Sequence, residues 1–224
     1  MSLSRLSEQD LAALPVFPLP NVVLFPDAIL PLHIFEPRYR ELVREVLGGR
    51  KLMGVVRLRP GFEQDYEGRP PVFDVCGVGQ VVDSVERADG RYDITLRGIA
   101  RARIVEELPP LRSFRQMHLE ELTDGFSDAG VTSAWQRKLI SLWSTLAPHL
   151  PESVRDLRGL TRGAEGPGAY ADRLAAALVG DPDGSQRLLA ETDPAERLRL
   201  LTEKLQQVHD SVAPPSFGRR TDLN

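Results

Sequence analysis

From Leu14 to Val46 the chain is almost continuously apolar, LPVFPLPNVVLFPDAILPLHIFEPRYRELVREV, yet prolines interrupt it at 15, 18, 20, 26, 31 and 37. Proline withholds a backbone donor and fixes φ, so neither a buried helix nor a membrane span can run through the stretch. The pattern predicts short, bent, extended pieces at turns and sheet edges. Leu30, Leu32 and Ile34 alternate with Pro31, His33 and Phe35, which is the period of a strand. Pro37 then stands at the first turn of a helix over Arg38 to Leu47, whose apolar stripe is Tyr39, Leu42, Val43 and Val46 and which Gly48-Gly49 stops.

The extended pattern continues to about Thr123. Leu52 to Leu58 reads as a strand, Arg59 to Pro70 as a polar loop rich in breakers, and Val72 to Val85 as a second long β run. Asp89-Gly90 predicts a hairpin into a strand in which Tyr92, Ile94 and Leu96 share one face. Gly98 marks a bend, after which Ala100, Ala102 and Ile104 point one way and Arg101 and Arg103 the other. Phe114 to Leu122 is the last strand expected.

Thr123 to Gly130 is turn-forming, and helical spacing follows it. Trp135, Leu139, Leu142 and Leu146 form one stripe, Val154, Leu157 and Leu160 a short second one, and Tyr170, Leu174 and Leu178 a third. Asp181-Pro182-Asp183-Gly184 resembles the start of a calcium loop, but Thr192 stands where the closing glutamate belongs, and a turn with a cap accounts for it. Asp193, Pro194 and Glu196 open the final helix, with Leu198, Leu201, Leu205 and Val208 on one face. The division expected is a β-barrel over 1–123, a helical part over 124–212 and a flexible tail over 213–224.

Composition narrows the functional classes. Charged residues make up 27% and hydrophobic ones 42% of the 224 residues, as in a globular protein, and the net charge of −4 gives no general attraction to nucleic acid or anionic membrane. Cys76 is the sole cysteine, which removes intramolecular disulfides and cysteine-based zinc sites. The first residues, MSLSRLSEQDLAALP, lack the pattern of a secretory leader, so the expectation is a cytoplasmic protein with no membrane span.

Catalytic patterns are missing from the sequence. There is no G-x-x-x-x-G-K-[ST] phosphate loop and no G-x-S-x-G elbow, and His33, His118, His149 and His209 show no metal-binding spacing. Gly77-Val78-Gly79 lies inside a β run, where glycines that let a barrel strand bend explain it better than a dinucleotide fingerprint. Cys76, among Val72, Phe73, Val75 and Val78, reads as core. Glu106-Glu107 and Glu120-Glu121 read as solvated faces. No cofactor is implied.

Two features stand out as binding candidates. Phe62 and Tyr66 are large rings in a polar loop, either offered to a ligand or folded back as a lid over the barrel. Arg97, Arg101, Arg103, Arg112 and Arg115 form a basic group on neighbouring strands. The core of it, Arg97, Arg101 and Arg103, is the candidate patch for an anionic ligand or RNA, although nearby glutamates favour a mixed, salt-bridged surface.

FPLPNVVLFPDAILPLHIFEPRYRELV, followed by Gly79-Gln80-Val81-Val82, by Leu96-Arg97-Gly98-Ile99-Ala100-Arg101-Ala102-Arg103-Ile104 and by Asp193-Pro194-Ala195-Glu196-Arg197-Leu198, resembles the N-terminal substrate-binding domain of Lon proteases. The likeness runs from about Leu14 to about Val208. It implies an α+β fold, a small bent PUA-like β-barrel with one packed helix followed by a C-terminal helical bundle. It also implies a stand-alone, non-catalytic module that binds exposed apolar segments of unfolded or degron-bearing polypeptides, as an adaptor beside a protease or chaperone. A groove between barrel and helices is the place expected for such a segment. The alternative class is an RNA-binding PUA-like protein.

Overall fold

The computed structural model describes residues 6–212, and the tail expected over 213–224 lies outside them. A capping box in which Ser7 and Asp10 serve each other's backbone starts the short helix α1 (Glu8–Leu11). The proline-punctuated run becomes strands β1 (Leu14–Leu19) and β2 (Ile29–Ile34), and helix α2 (Pro37–Gly48) follows with Pro37 in its first turn. Tyr39, Leu42, Val43 and Val46 of α2 are all buried, so its predicted stripe is its packed face. Strands β3 (Leu52–Arg57), β4 (Val75–Glu86), β5 (Tyr92–Glu107) and β6 (Arg115–Leu122) complete the sheet. Phe62–Asp65 makes one 3₁₀ turn inside the loop between β3 and β4.

The sheet order is β2-β5-β4-β3-β1-β6, with β5 also paired to β6, and that last pairing closes the barrel. β5 makes closure possible by length. Its first half pairs with β2 over Tyr92–Arg97 and its second half with β6 over Arg101–Glu107, while β4 runs along its other edge. Register shifts at Val78/Gly79 and Val81/Asp83 supply the bend between the halves. The hairpin at Asp89-Gly90 forms as expected, with Gly90 at φ +76°.

Helices α3 (Ala129–Leu146), α4 (Glu152–Arg155), α5 (Leu157–Leu160), α6 (Gly166–Leu178), α7 (Pro182–Ala190) and α8 (Pro194–Val212) come after β6. The short helix expected along Val154, Leu157 and Leu160 is two pieces, because Asp156 leaves helical dihedrals at φ −83°, ψ +83°. The turn expected at Asp181 is the cap of α7: its carboxylate accepts the Gly184 N–H at 2.6 Å. Leu188 and Leu189 then bury α7 among the other helices.

Candidate functional site

The segment between β1 and β2 seams the two layers. Leu24 packs into the barrel core with Val81 and Leu96, and its neighbour Phe25 packs among the helices with Leu174 and Leu188. Glycines of β4 and β5 let this segment lie against the sheet. A Cβ at Gly77 would collide with the Leu24 carbonyl oxygen and one at Gly98 with that of Phe25. The expected bend at Gly98 is therefore also a bed for a crossing chain. Gly98 N–H donates to the Ala28 carbonyl and Asp27 N–H to that of Gly98, both at 2.9 Å.

Beside the seam opens a cleft of about 720 Å³ between residues 21–30 and helices α6 and α7. Val22, Val23, Leu30, Ala176 and Val179 give it apolar walls, and the exposed Ile29 stands at its lip. Its charges are mutually engaged. Asp27 accepts from Arg97 of β5 at 2.7 Å and from Arg173 of α6 at 3.1 Å. Burial pushes the Asp27 carboxyl up, but its bonds to the two arginines outweigh that and hold it below the usual carboxylate value. Asp27 sits at φ +62°, a conformation that Asp and Asn tolerate better than most residues.

Deeper along the same junction lies a buried ion network. Arg101 of β5, 2% exposed, donates to Asp172 of α6 and, at 2.6 Å, to the Glu191 carbonyl oxygen after α7. Arg197 of α8 donates to the same Asp172 oxygen at 2.7 Å and to Asp124 in the linker. Arg57 of β3 adds a further tie, reaching Asp183 and the Pro182 carbonyl of α7 at 2.7 and 3.0 Å.

This placement corrects the arginine patch. Arg101 is an internal ion-pair partner, because helices cover the strand face it occupies. Arg97 and Arg103 remain accessible, but each faces a carboxylate, Asp27 for the first and Glu120 at 3.2 Å for the second. The three do not form one continuous cationic strip. Glu107 also departs from expectation: it is no solvated residue but the shared partner of Arg69 and Arg115, each at 2.5 Å. Cys76 is fully buried, and burial pushes its thiol up to about 12.

Phe62 and Tyr66 come together with ring centroids 6.2 Å apart, away from the cleft. Tyr66 is tied down. Its hydroxyl donates to Glu36 at 2.9 Å, and the Arg38 guanidinium lies over its ring at 5.2 Å. Burial first, and then that bond to a carboxylate, raise the Tyr66 hydroxyl above its ordinary value. Tyr66 walls a second, smaller hollow of about 290 Å³ near the barrel rim.

Residues 13–207 match the ATP-dependent protease La (LON) substrate-binding domain. The chain belongs to that family. Among solved structures, the N-terminal domain of the Mycobacterium avium complex Lon protease superposes with a TM-score of 0.66 at 17% identity, covering 87% of this chain and 98% of that one. A Lon N-terminal domain protein from Xanthomonas campestris gives a TM-score of 0.58 at 22% identity, covering 86% and 98%. Both show the fold. The Lon protease of Desulfovibrio desulfuricans is 29% identical over 203 residues, and Lon protease 2 of Sorangium cellulosum 30% identical over 212. This chain covers 87% and 86% of its own length in those alignments but only 22% and 24% of the two proteases.

In this LON substrate-binding domain the junction residues were the ones hidden from sequence reading. Asp172 and Asp124 carry no motif, Arg197 lies in the Asp193–Leu198 segment with nothing there to mark it as an ion-pair partner, and only their meeting with Arg101 gives the three a role. The glycines did carry a signal, since glycine inside a β run marks close backbone approach as well as bending. Among the described residues, no group of three or more His, Cys, Asp or Glu is placed to hold a metal ion, and no helix is long and apolar enough to cross a membrane.

Proposed function

We propose that this domain is a non-catalytic recognition module that holds an apolar segment of a non-native polypeptide in the cleft between residues 21–30 and helices α6 and α7. One observation carries the reading: a hollow of about 720 Å³ has aliphatic side chains in its walls, an exposed isoleucine at its lip, and its one carboxylate, Asp27, engaged by both of its arginines. A site of that kind rewards burial of apolar side chains. Family membership supports the reading, since the family is described by substrate binding. An adaptor that passes such segments to a protease or chaperone is the role this implies. Phe62 and Tyr66 are assigned no part in the cleft.

Binding of a fluorescent, chemically unfolded polypeptide tests this. Ile29→Glu and Ala176→Glu each put a charge at an exposed position of the cleft, so the fold is retained while capture falls by roughly tenfold or more. The double change Phe62→Ala with Tyr66→Ala leaves capture in the cleft intact. Unaltered capture by both cleft variants would sink the proposal. Loss of binding as salt rises, with RNA competing, would favour the nucleic-acid class instead.

A further inference from the structure

The smaller hollow is built on a different principle from the cleft. Four guanidinium groups from four parts of the chain line it: Arg38 of α2, Arg69 of the long loop, Arg112 of the β5–β6 connection and Arg115 of β6. The lining has one carboxylate, Glu67, beside the rings of Tyr39 and Tyr66 and the prolines 18, 70 and 110. The counter-ions stand outside it. Glu36 engages Arg38 at 3.0 Å, Glu45 engages Arg112 at 3.2 Å, and Glu107 engages both Arg69 and Arg115, and none of these three glutamates lines the hollow.

Those carboxylates orient the arginines. Arg115 is fixed on all sides, by Glu107 at 2.9 Å through Nε and 2.5 Å through Nη2, and by the Pro70 carbonyl at 2.8 Å through Nη1. Arg69 and Arg112 are held at one nitrogen each, Nη1 to Glu107 and Nε to Glu45. Among the described residues, the Nη2 group of Arg69 and both Nη groups of Arg112 have no protein partner. Two half-satisfied planar forks at one hollow, beside tyrosine rings and prolines, suit a group that accepts several N–H bonds in a plane.

We propose that this hollow receives the C-terminal residue of a polypeptide, its carboxylate on Arg69 and Arg112 and an apolar side chain against the prolines and Tyr66. The proposal rests on reading the domain as a polypeptide binder, and it adds a second, chemically distinct subsite to the cleft. Charge favours a single carboxylate over phosphate. The four arginines already face Glu36, Glu45, Glu67 and Glu107, so each added negative charge is uncompensated and a dianion costs more than a single carboxylate. Size agrees, since about 290 Å³ holds one residue. Phe62, half-buried beside Tyr66, extends the apolar wall for the preceding residue.

The probe is the acetylated dipeptide leucyl-phenylalanine with a free carboxylate, titrated into the full ¹⁵N-labelled chain beside the same dipeptide carrying a C-terminal amide. The free acid should shift amide signals at 66–70 and 111–115 saturably, and the amide should bind roughly tenfold more weakly or worse. Arg69→Gln and Arg112→Gln should each weaken the acid about tenfold while capture of unfolded polypeptide in the cleft persists, because both side chains are accessible and the buried Arg115 anchor is untouched. Equal binding of acid and amide overturns the proposal, as does undiminished binding of the acid by both variants. So does stronger binding of inorganic phosphate or an RNA oligomer at the same signals, or equal binding of an amidated peptide with an internal aspartate. The dipeptide does not use the cleft, so failed capture by wild type with normal dipeptide binding would refute the cleft reading alone.

Discussion

Asp172 holds two guanidinium groups on one carboxylate oxygen, and this decides what its removal does. Asp172→Ala leaves Arg101 and Arg197 charged, buried and short of a partner, so it should cost about 3–5 kcal/mol, read as a lower urea midpoint. Asp27 makes the corresponding contact at the accessible edge of the junction, and there pH is the probe. Its carboxyl is held below the unfolded value, so the stability it contributes is present above the unfolded value near 4 and is lost as pH falls through the lower, folded one. Asn tolerates the positive φ at this position, so Asp27→Asn isolates the charge. The variant should be about 1 kcal/mol less stable than wild type at pH 7, with the gap closing toward pH 3 in parallel urea titrations. Alternation along β5 gave the direction of Arg101 correctly, opposite to Ala100 and Ala102. What covers that direction comes from Asp172 and Arg197, too far along the chain for any local pattern to announce.

At the scale of elements, visibility tracked how much of each boundary is local chemistry. Helix α2 has Pro37 at its start, a four-residue apolar stripe and Gly49 at its end, and all of it shows in the sequence. Helix α7 is short and opens Pro-Asp-Gly, so the letters read as a turn. Its helical state is decided by burial of Leu188 and Leu189 and by Gln186 donating to the Val75 carbonyl at 2.9 Å. Asp181→Ala removes the cap and should cost about 1 kcal/mol in thermal or chemical unfolding. The glycine bed under the seam is less forgiving. Gly77→Ala puts a methyl into the Leu24 backbone and should destabilise by about 1–3 kcal/mol or more, whereas Gly48→Ala, with open space around its Cβ, should be close to neutral.

For the molecule as a whole, Cys76 reports opening. It lies in β4 opposite Ala102, fully buried, with a thiol pushed up to about 12 by that burial. Alkylation of the native protein at pH 8 should therefore be negligible and should accelerate with denaturant in parallel with global unfolding. Rapid labelling without denaturant would show that the barrel breathes locally. β6 also pairs with β1, Leu14 opposite Met117 and Pro15 opposite Gln116, joining the first strand to the last. A chain emerging from the ribosome thus carries β1 for about a hundred residues before its second neighbour exists. During that wait one edge of an apolar strand stands open to any passing chain. Pro15 and Pro18, three residues apart, turn to opposite edges of β1, so each edge lacks one donor and is a poorer template for pairing with strangers. The prolines that rule out a helix in the opening run thereby also leave each edge of the first strand one donor short until the sixth strand arrives.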